Sequence, residues 1–249
     1  MLTWLVLGAS GFAAGVINAV AGGGSLVSFP ALLHTGMGAR IANATNTAAI
    51  WPGTVSSVYA YREVLAEERH RALVLTWPCL AGGVAGSFIL LHTPESAFRA
   101  IVPWLIVFAC LLLGLQGPVA RFVARRTGAT QARVPPALVV VQFLISLYGG
   151  YFGAGIGIMM LAAMAILIPH GLAAANGLKV LFGCIINGIS ALYFLLAGAV
   201  RLPEAGLMMV TSVLGGYVGA HLAKRLPGKV LQGVVIAYGL VVATKLFLG

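Results

Sequence analysis

Ala21-Gly22-Gly23-Gly24-Ser25 interrupts the apolar run from Trp4 to Leu33. Three adjacent glycines do not hold a helix, because each costs about 1 kcal/mol relative to Ala in a helix interior. The flanks, Leu5 to Val20 and Leu26 to Leu33, are nevertheless apolar enough for the middle of a bilayer. Broken backbone at that depth survives only where protein buries it or where it lines a watery cavity. The stretch is therefore a candidate binding site. Ala154-Gly155-Ile156-Gly157 interrupts the apolar run from Pro136 to Ile168 in the same way.

Composition agrees with a membrane setting. Of 249 residues, 60% are hydrophobic and 8% charged, and the mean hydropathy is +1.02. A soluble domain of this size needs many more charges to cover its surface. The net charge of +10 would suggest nucleic acid in a soluble protein. Here the basic residues mostly flank apolar segments, as the positive-inside rule requires, so no nucleic-acid partner is implied. Cys79, Cys110 and Cys184 lie inside apolar segments and read as small buried hydrophobes. Ala19-Val20-Ala21 mimics a signal cleavage site, but Met1-Leu2-Thr3-Trp4 carries no basic side chain. The first segment is read as mature structure.

Apolar segments fall at about 4–33 (broken), 41–61, 72–91, 97–115, 136–168 (broken), 172–199, 205–223 and 230–248. The longest joint, 116–135, carries Arg121, Arg125, Arg126 and Arg133 and divides a first half, 1–115, from a second, 136–249. Sliding the chain by 133 residues pairs Ala21 with Ala154, Gly22 with Gly155 and Gly24 with Gly157. The same offset pairs Asn43 with Asn176, Ser57 with Ser190, and Gly82, Gly83 and Gly86 with Gly215, Gly216 and Gly219. One offset holding both the break and the Gly-Gly-x-x-Gly pattern marks a duplication. The expected fold is an all-α polytopic membrane protein of about eight transmembrane segments in two homologous four-segment halves. Such halves, each with an interrupted helix, characterise secondary transporters. If each broken segment crosses once, the repeats are parallel; if it is a re-entrant hairpin, they are inverted. With eight crossings, nine basic residues against five favour cytoplasmic termini.

The glycine breaks present helix starts, which attract anions, and Ser25 is placed to cap one of them or to donate to a ligand. Gly82, Gly83 and Gly86 read instead as close helix packing. Asn43-Ala44-Thr45-Asn46-Thr47 is twinned with Asn176-Gly177-Leu178-Lys179, which sets Lys179 opposite Asn46. An ionisable residue inside a membrane segment usually marks function, although a lysine also snorkels to the interface. Asn18 and Asn187 are weaker candidates that bond neighbouring helices. All five Glu residues, Glu63, Glu67, Glu68, Glu95 and Glu204, fall in predicted loops, no Asp occurs, and the histidines sit near segment ends. There is no metal-ligand spacing and no visible hydrolase triad, so neither an enzyme nor a metal or other cofactor is implied. Trp4, Trp77 and Trp104 fit interface anchors, and Trp51-Pro52-Gly53 marks a kink.

These motifs resemble the TauE/SafE family, the sulfite and organosulfonate exporters. Gly-x-x-x-Gly leading into Gly22-Gly23-Gly24 and then Pro30 is similar to its first-half signature. Tyr148 to Gly157, with the clusters Asn43 to Asn46 and Asn176 to Lys179, is similar to the rest. The resemblance implies a bilayer-embedded permease for a small anionic substrate, and a homo-oligomer is compatible with it. The expected substrate site comprises Gly22, Gly23, Gly24, Ser25, Asn43, Asn46, Thr47, Gly155, Gly157, Asn176 and Lys179, with Lys179 as counter-charge. The competing reading is a non-transporting membrane protein, such as an enzyme partner or assembly factor.

Overall fold

The computed structural model describes residues 1–20, 23–125, 134–167, 172–222 and 228–248. Among them only helices occur as regular structure: α1 (Leu2–Val20), α2 (Ser25–Leu33), α3 (Ala39–Ala60), α4 (Arg62–Glu67), α5 (Arg69–His92) and α6 (Glu95–Arg125). The second part adds α7 (Pro136–Tyr151), α8 (Ile156–Leu167), α9 (Leu172–Leu196), α10 (Leu202–Leu222) and α11 (Gly228–Leu248). Four of these are long and apolar enough to cross a bilayer on their own: α5, α6, 173–196 of α9 and 230–248 of α11. This is an all-α membrane protein. Trp77 and Trp104 are exposed on its outside, as interface anchors would be. One sequence expectation shifts: helix α6 runs to Arg125, so the basic joint begins inside a helix. Pro52 lies inside α3.

Packing follows the offset of 133. Helix α1 packs on α10, and its twin α7 packs on α5, the twin of α10. Helix α3 packs on its own twin α9, and α6 on its own twin α11. The small residues explain the two closest seams. At Gly15 an added Cβ would lie 2.1 Å from the Ser212 carbonyl oxygen, and at Gly86 2.0 Å from that of Leu147. Backbones approach that closely only where side chains are absent.

Contacts along each seam also give direction. Gly8 meets Leu207 and Gly15 meets Gly216, so α1 and α10 are parallel. Trp51 bonds Cys184, while Gly177 faces Tyr61 and Val64, so α3 and α9 are antiparallel. Trp104 stacks edge-on with Phe247 and Gln232 donates to the Leu113 carbonyl, so α6 and α11 are antiparallel too. Twins that pack on each other antiparallel are related by a two-fold axis lying in the membrane plane, the arrangement of inverted repeats. That relation requires an odd number of crossings per half and favours the hairpin reading of both breaks.

Inversion changes the charge count. Among the described residues, Arg62, Arg69, Arg71, Arg121, Arg125 and Lys229 fall on one side, against Arg40, Arg99, Arg201 and Lys245 on the other. With inverted repeats the basic excess favours the first side as the cytoplasmic one, with the termini opposite, whereas eight crossings favour cytoplasmic termini.

Candidate functional site

Both breaks are real and both meet the middle of α6. Gly23 (φ +87°) sits against Leu113, and Gly155 (φ +85°) against Leu112. Only glycine adopts such angles without strain, which accounts for the residue type at both points. Phe152, just after α7, meets Phe29 of α2 edge-on at 5.6 Å. Ala21 and Gly22 lie outside the described residues.

In the first half the polar groups bond one another. Gly24 is the N-cap residue of α2 and Ser25 its first helical residue, so Ser25 is not the cap that was expected. The Gly24 N–H donates to Asn18 Oδ1 at 2.8 Å. Ser28 Oγ donates to Asn46 Oδ1 at 2.5 Å and to the Gly24 carbonyl at 3.2 Å. Asn43 donates across the halves to the Tyr151 carbonyl at 2.9 Å, ending α7. Thr47 spends its hydroxyl on its own helix, at the Asn43 carbonyl. Asn43, Thr45, Asn46 and Thr47 are all buried. These bonds tie α2, α3 and the end of α7 together.

The second half is different. Lys179 Nζ donates to Asn176 Oδ1 at 2.9 Å, and its stem lies against Gly157, where an added Cβ would come within 3.1 Å. Among the described residues no carboxylate pairs with Lys179. The twin of Asn18 is Tyr151, and among the described residues no side-chain acceptor caps the start of α8. A cation, an amide and an open helix start thus converge at Gly157, an arrangement suited to an anion.

The breaks meet at α6, but Asn46 and Lys179 stand apart along the α3–α9 seam. Lys179 lies five residues before Cys184, and Asn46 five before Trp51, on antiparallel helices that cross where Trp51 bonds Cys184. At 1.5 Å per residue the two are about 15 Å apart along the helices. Three contributors were missed or undervalued from sequence: Asn18, Ser28, and Tyr148, whose hydroxyl donates across the second break to the Ala154 carbonyl at 2.8 Å. Ser28 sits one turn from Gly24, and that spacing was the available signal. Glu204 needs correcting as well. It lies in the first turn of α10 rather than in a loop, and its Oε2 is buried without a hydrogen-bond partner, while Oε1 faces Arg201 Nε at 3.5 Å. His170 and the side chain of His221 lie outside the described residues.

The glycine angles carry a prediction. Gly23→Val puts a β-branched residue at φ +87° against Leu113, which costs roughly 1–3 kcal/mol of local strain. Substrate flux should fall sharply while Gly206→Ala, where a Cβ meets nothing within 4 Å, behaves as wild type. Equal flux in the two variants would show that the first break has no part in transport.

Comparison with known proteins agrees with this architecture. The sequence profile described as "Sulfite exporter TauE/SafE" matches residues 7–246. A "Probable membrane transporter protein" of Haemophilus influenzae is 29% identical over 241 residues, covering 95% of this chain and 91% of that protein. The "Probable membrane transporter protein YfcA" of Escherichia coli K12 is 25% identical over 250 residues, covering 99% and 91%. The "Probable membrane transporter protein ORF9" of a Sinorhizobium species is 26% identical over 242 residues, covering 94% and 88%. No solved structure matches. With an all-helical membrane fold, twin glycine breaks and a match over nearly its whole length, the chain belongs to the sulfite exporter TauE/SafE family of membrane proteins.

Proposed function

We propose that this membrane transporter is a permease that exports a small anion (sulfite, an organosulfonate or a related organic acid) through a seat built from Lys179, Asn176 and the first turn of α8. The observation that carries the reading is Lys179, a half-buried cation with an amide partner and no carboxylate partner among the described residues. A buried charge is tolerated when something neutralises it, and a passing anion supplies that neutralisation. The first-half cluster, whose Asn43 and Ser28 bonds join α2, α3 and α7, supports the breaks.

The membrane potential suffices as the driving force. At about −100 mV inside, a monovalent anion is driven outward by roughly 2.3 kcal/mol per charge. Purified protein in liposomes should therefore pass sulfite or a short sulfonate under a potassium-diffusion potential without a pH gradient. Flux that ignores voltage, follows the pH gradient and disappears in Glu204→Gln would overturn uniport and make Glu204 the coupling group. No flux at all, with folded protein, would favour the non-transporting reading.

A further inference from the structure

We propose that the cytoplasmic end of the α3–α9 seam is a binding site for an anionic phospholipid, with the phosphate at Arg62 and an acyl chain running toward Cys184. A groove of about 530 Å³ lies there, walled by Val55, Val58, Leu65 and Leu181, with Arg62 at its mouth and Cys184 on its lining. Its existence follows from one divergence between the halves. Cys184 is the twin of Trp51, and Val55 the twin of Gly188. On the far side of the crossing the Trp51 indole occupies the equivalent space, so close to Gly188 that an added Cβ would lie 2.7 Å from its ring nitrogen. At this end the small thiol leaves the space open.

The chemistry of the groove is that of a lipid. Its walls are apolar, and its polar feature stands where α3 ends, at headgroup depth. Arg62 lies 4.7 Å above the Tyr59 ring; among the described residues its Nη1 donates to the Tyr59 carbonyl at 3.4 Å and its Nη2 to the exposed Glu63 at 3.2 Å, and both contacts are solvent-exposed ones that a phosphate can replace. Arg69 opens α5 one residue after α4, and Glu68 between them is held by Arg71 at 2.6 Å. With the side richer in basic residues taken as cytoplasmic, this end meets the leaflet whose anionic lipids attract basic residues. A free inorganic anion would satisfy Arg62 but leave the apolar walls unfilled. The proposal does not depend on the identity of the transported anion.

The test is native mass spectrometry of the purified full chain titrated with phosphatidylglycerol and, separately, with phosphatidylcholine. Phosphatidylglycerol should be retained preferentially. Arg62→Gln, at an exposed position that folding does not need, should weaken its binding about fivefold, the contribution of one basic residue near an anionic surface. Cys184→Trp, which restores the filling found on the far side of the crossing, should weaken it at least as much, and Cys184→Ala should bind as wild type. Equal retention of the two lipids, or unchanged phosphatidylglycerol binding in both Arg62→Gln and Cys184→Trp, would overturn the proposal. So would a Cys184→Trp protein that keeps its lipid but loses anion flux, because the groove would then belong to the substrate path.

Discussion

Lys179→Gln is expected to lower anion affinity by at least roughly 30-fold while leaving a folded protein. Removing one partner of a buried charge pair costs about 2 kcal/mol or more, and each 1.4 kcal/mol is tenfold in affinity. Glutamine removes the charge while keeping an N–H donor on a chain one atom shorter, so the change bears mainly on the charge. Lys179→Arg should not restore binding. The lysine stem already lies within 3.1 Å of the position a Cβ on Gly157 would take, which leaves little room for a planar fork with different geometry. Equilibrium binding of radiolabelled sulfite to purified protein is the direct measurement. Wild-type affinity in Lys179→Gln would remove the lysine from the site, and the open start of α8 would lose its argument as an anion seat.

The second large effect concerns folding. Gly15→Ala and Gly86→Ala each drive a methyl group into the backbone of a partner helix, at 2.1 Å from the Ser212 oxygen and 2.0 Å from the Leu147 oxygen. A backbone cannot rotate away as a side chain can, so each substitution forces two helices apart. Overpacking typically costs 1–3 kcal/mol, occasionally more, and loss of a whole close seam belongs at or above the top of that range. Gly83→Ala should be milder, since its Cβ meets the Ile189 side chain rather than backbone. Thermal unfolding in detergent, followed by the monodisperse fraction, should rank Gly15→Ala and Gly86→Ala below Gly83→Ala, with Gly233→Ala unchanged. Equal stability across the four would mean that these glycines do not set the helix approach.

Much of this was legible in the residues. The breaks at Gly23 and Gly155 were readable because three glycines, or Gly-x-Gly, have no other use in the middle of an apolar run. The packing glycines were readable from their spacing. Parity was not, because the hydrophobic pattern of a helix reads the same in either direction. Only contacts between twins, such as Trp51 with Cys184, settle which way they run. Glu204 was misplaced because Pro203 and a charge read as a joint, whereas proline is well suited to a first helical turn and a carboxylate there is favoured by the helix dipole. The division of labour between the halves was also hidden. Asn46 and Lys179 occupy the same position in the repeat, and one is tied to Ser28 only because Ser28, unlike its twin Leu161, has a hydroxyl to offer.

The seam between α1 and α10 carries a consequence for how the chain is made. Gly15 emerges from the ribosome about 200 residues before Gly216, its partner on α10. At bacterial elongation rates of about 5–20 residues per second, the interval is roughly 10–40 s. Throughout it, the first helix sits in the bilayer with its glycine groove facing lipid. Neither half can complete its own packing, since α1 waits for the second half and α7 closes on the first. The nascent protein is therefore an open clasp until translation is almost finished, and a ribosome stalled before α10 leaves the membrane with a helix that has nothing to hold.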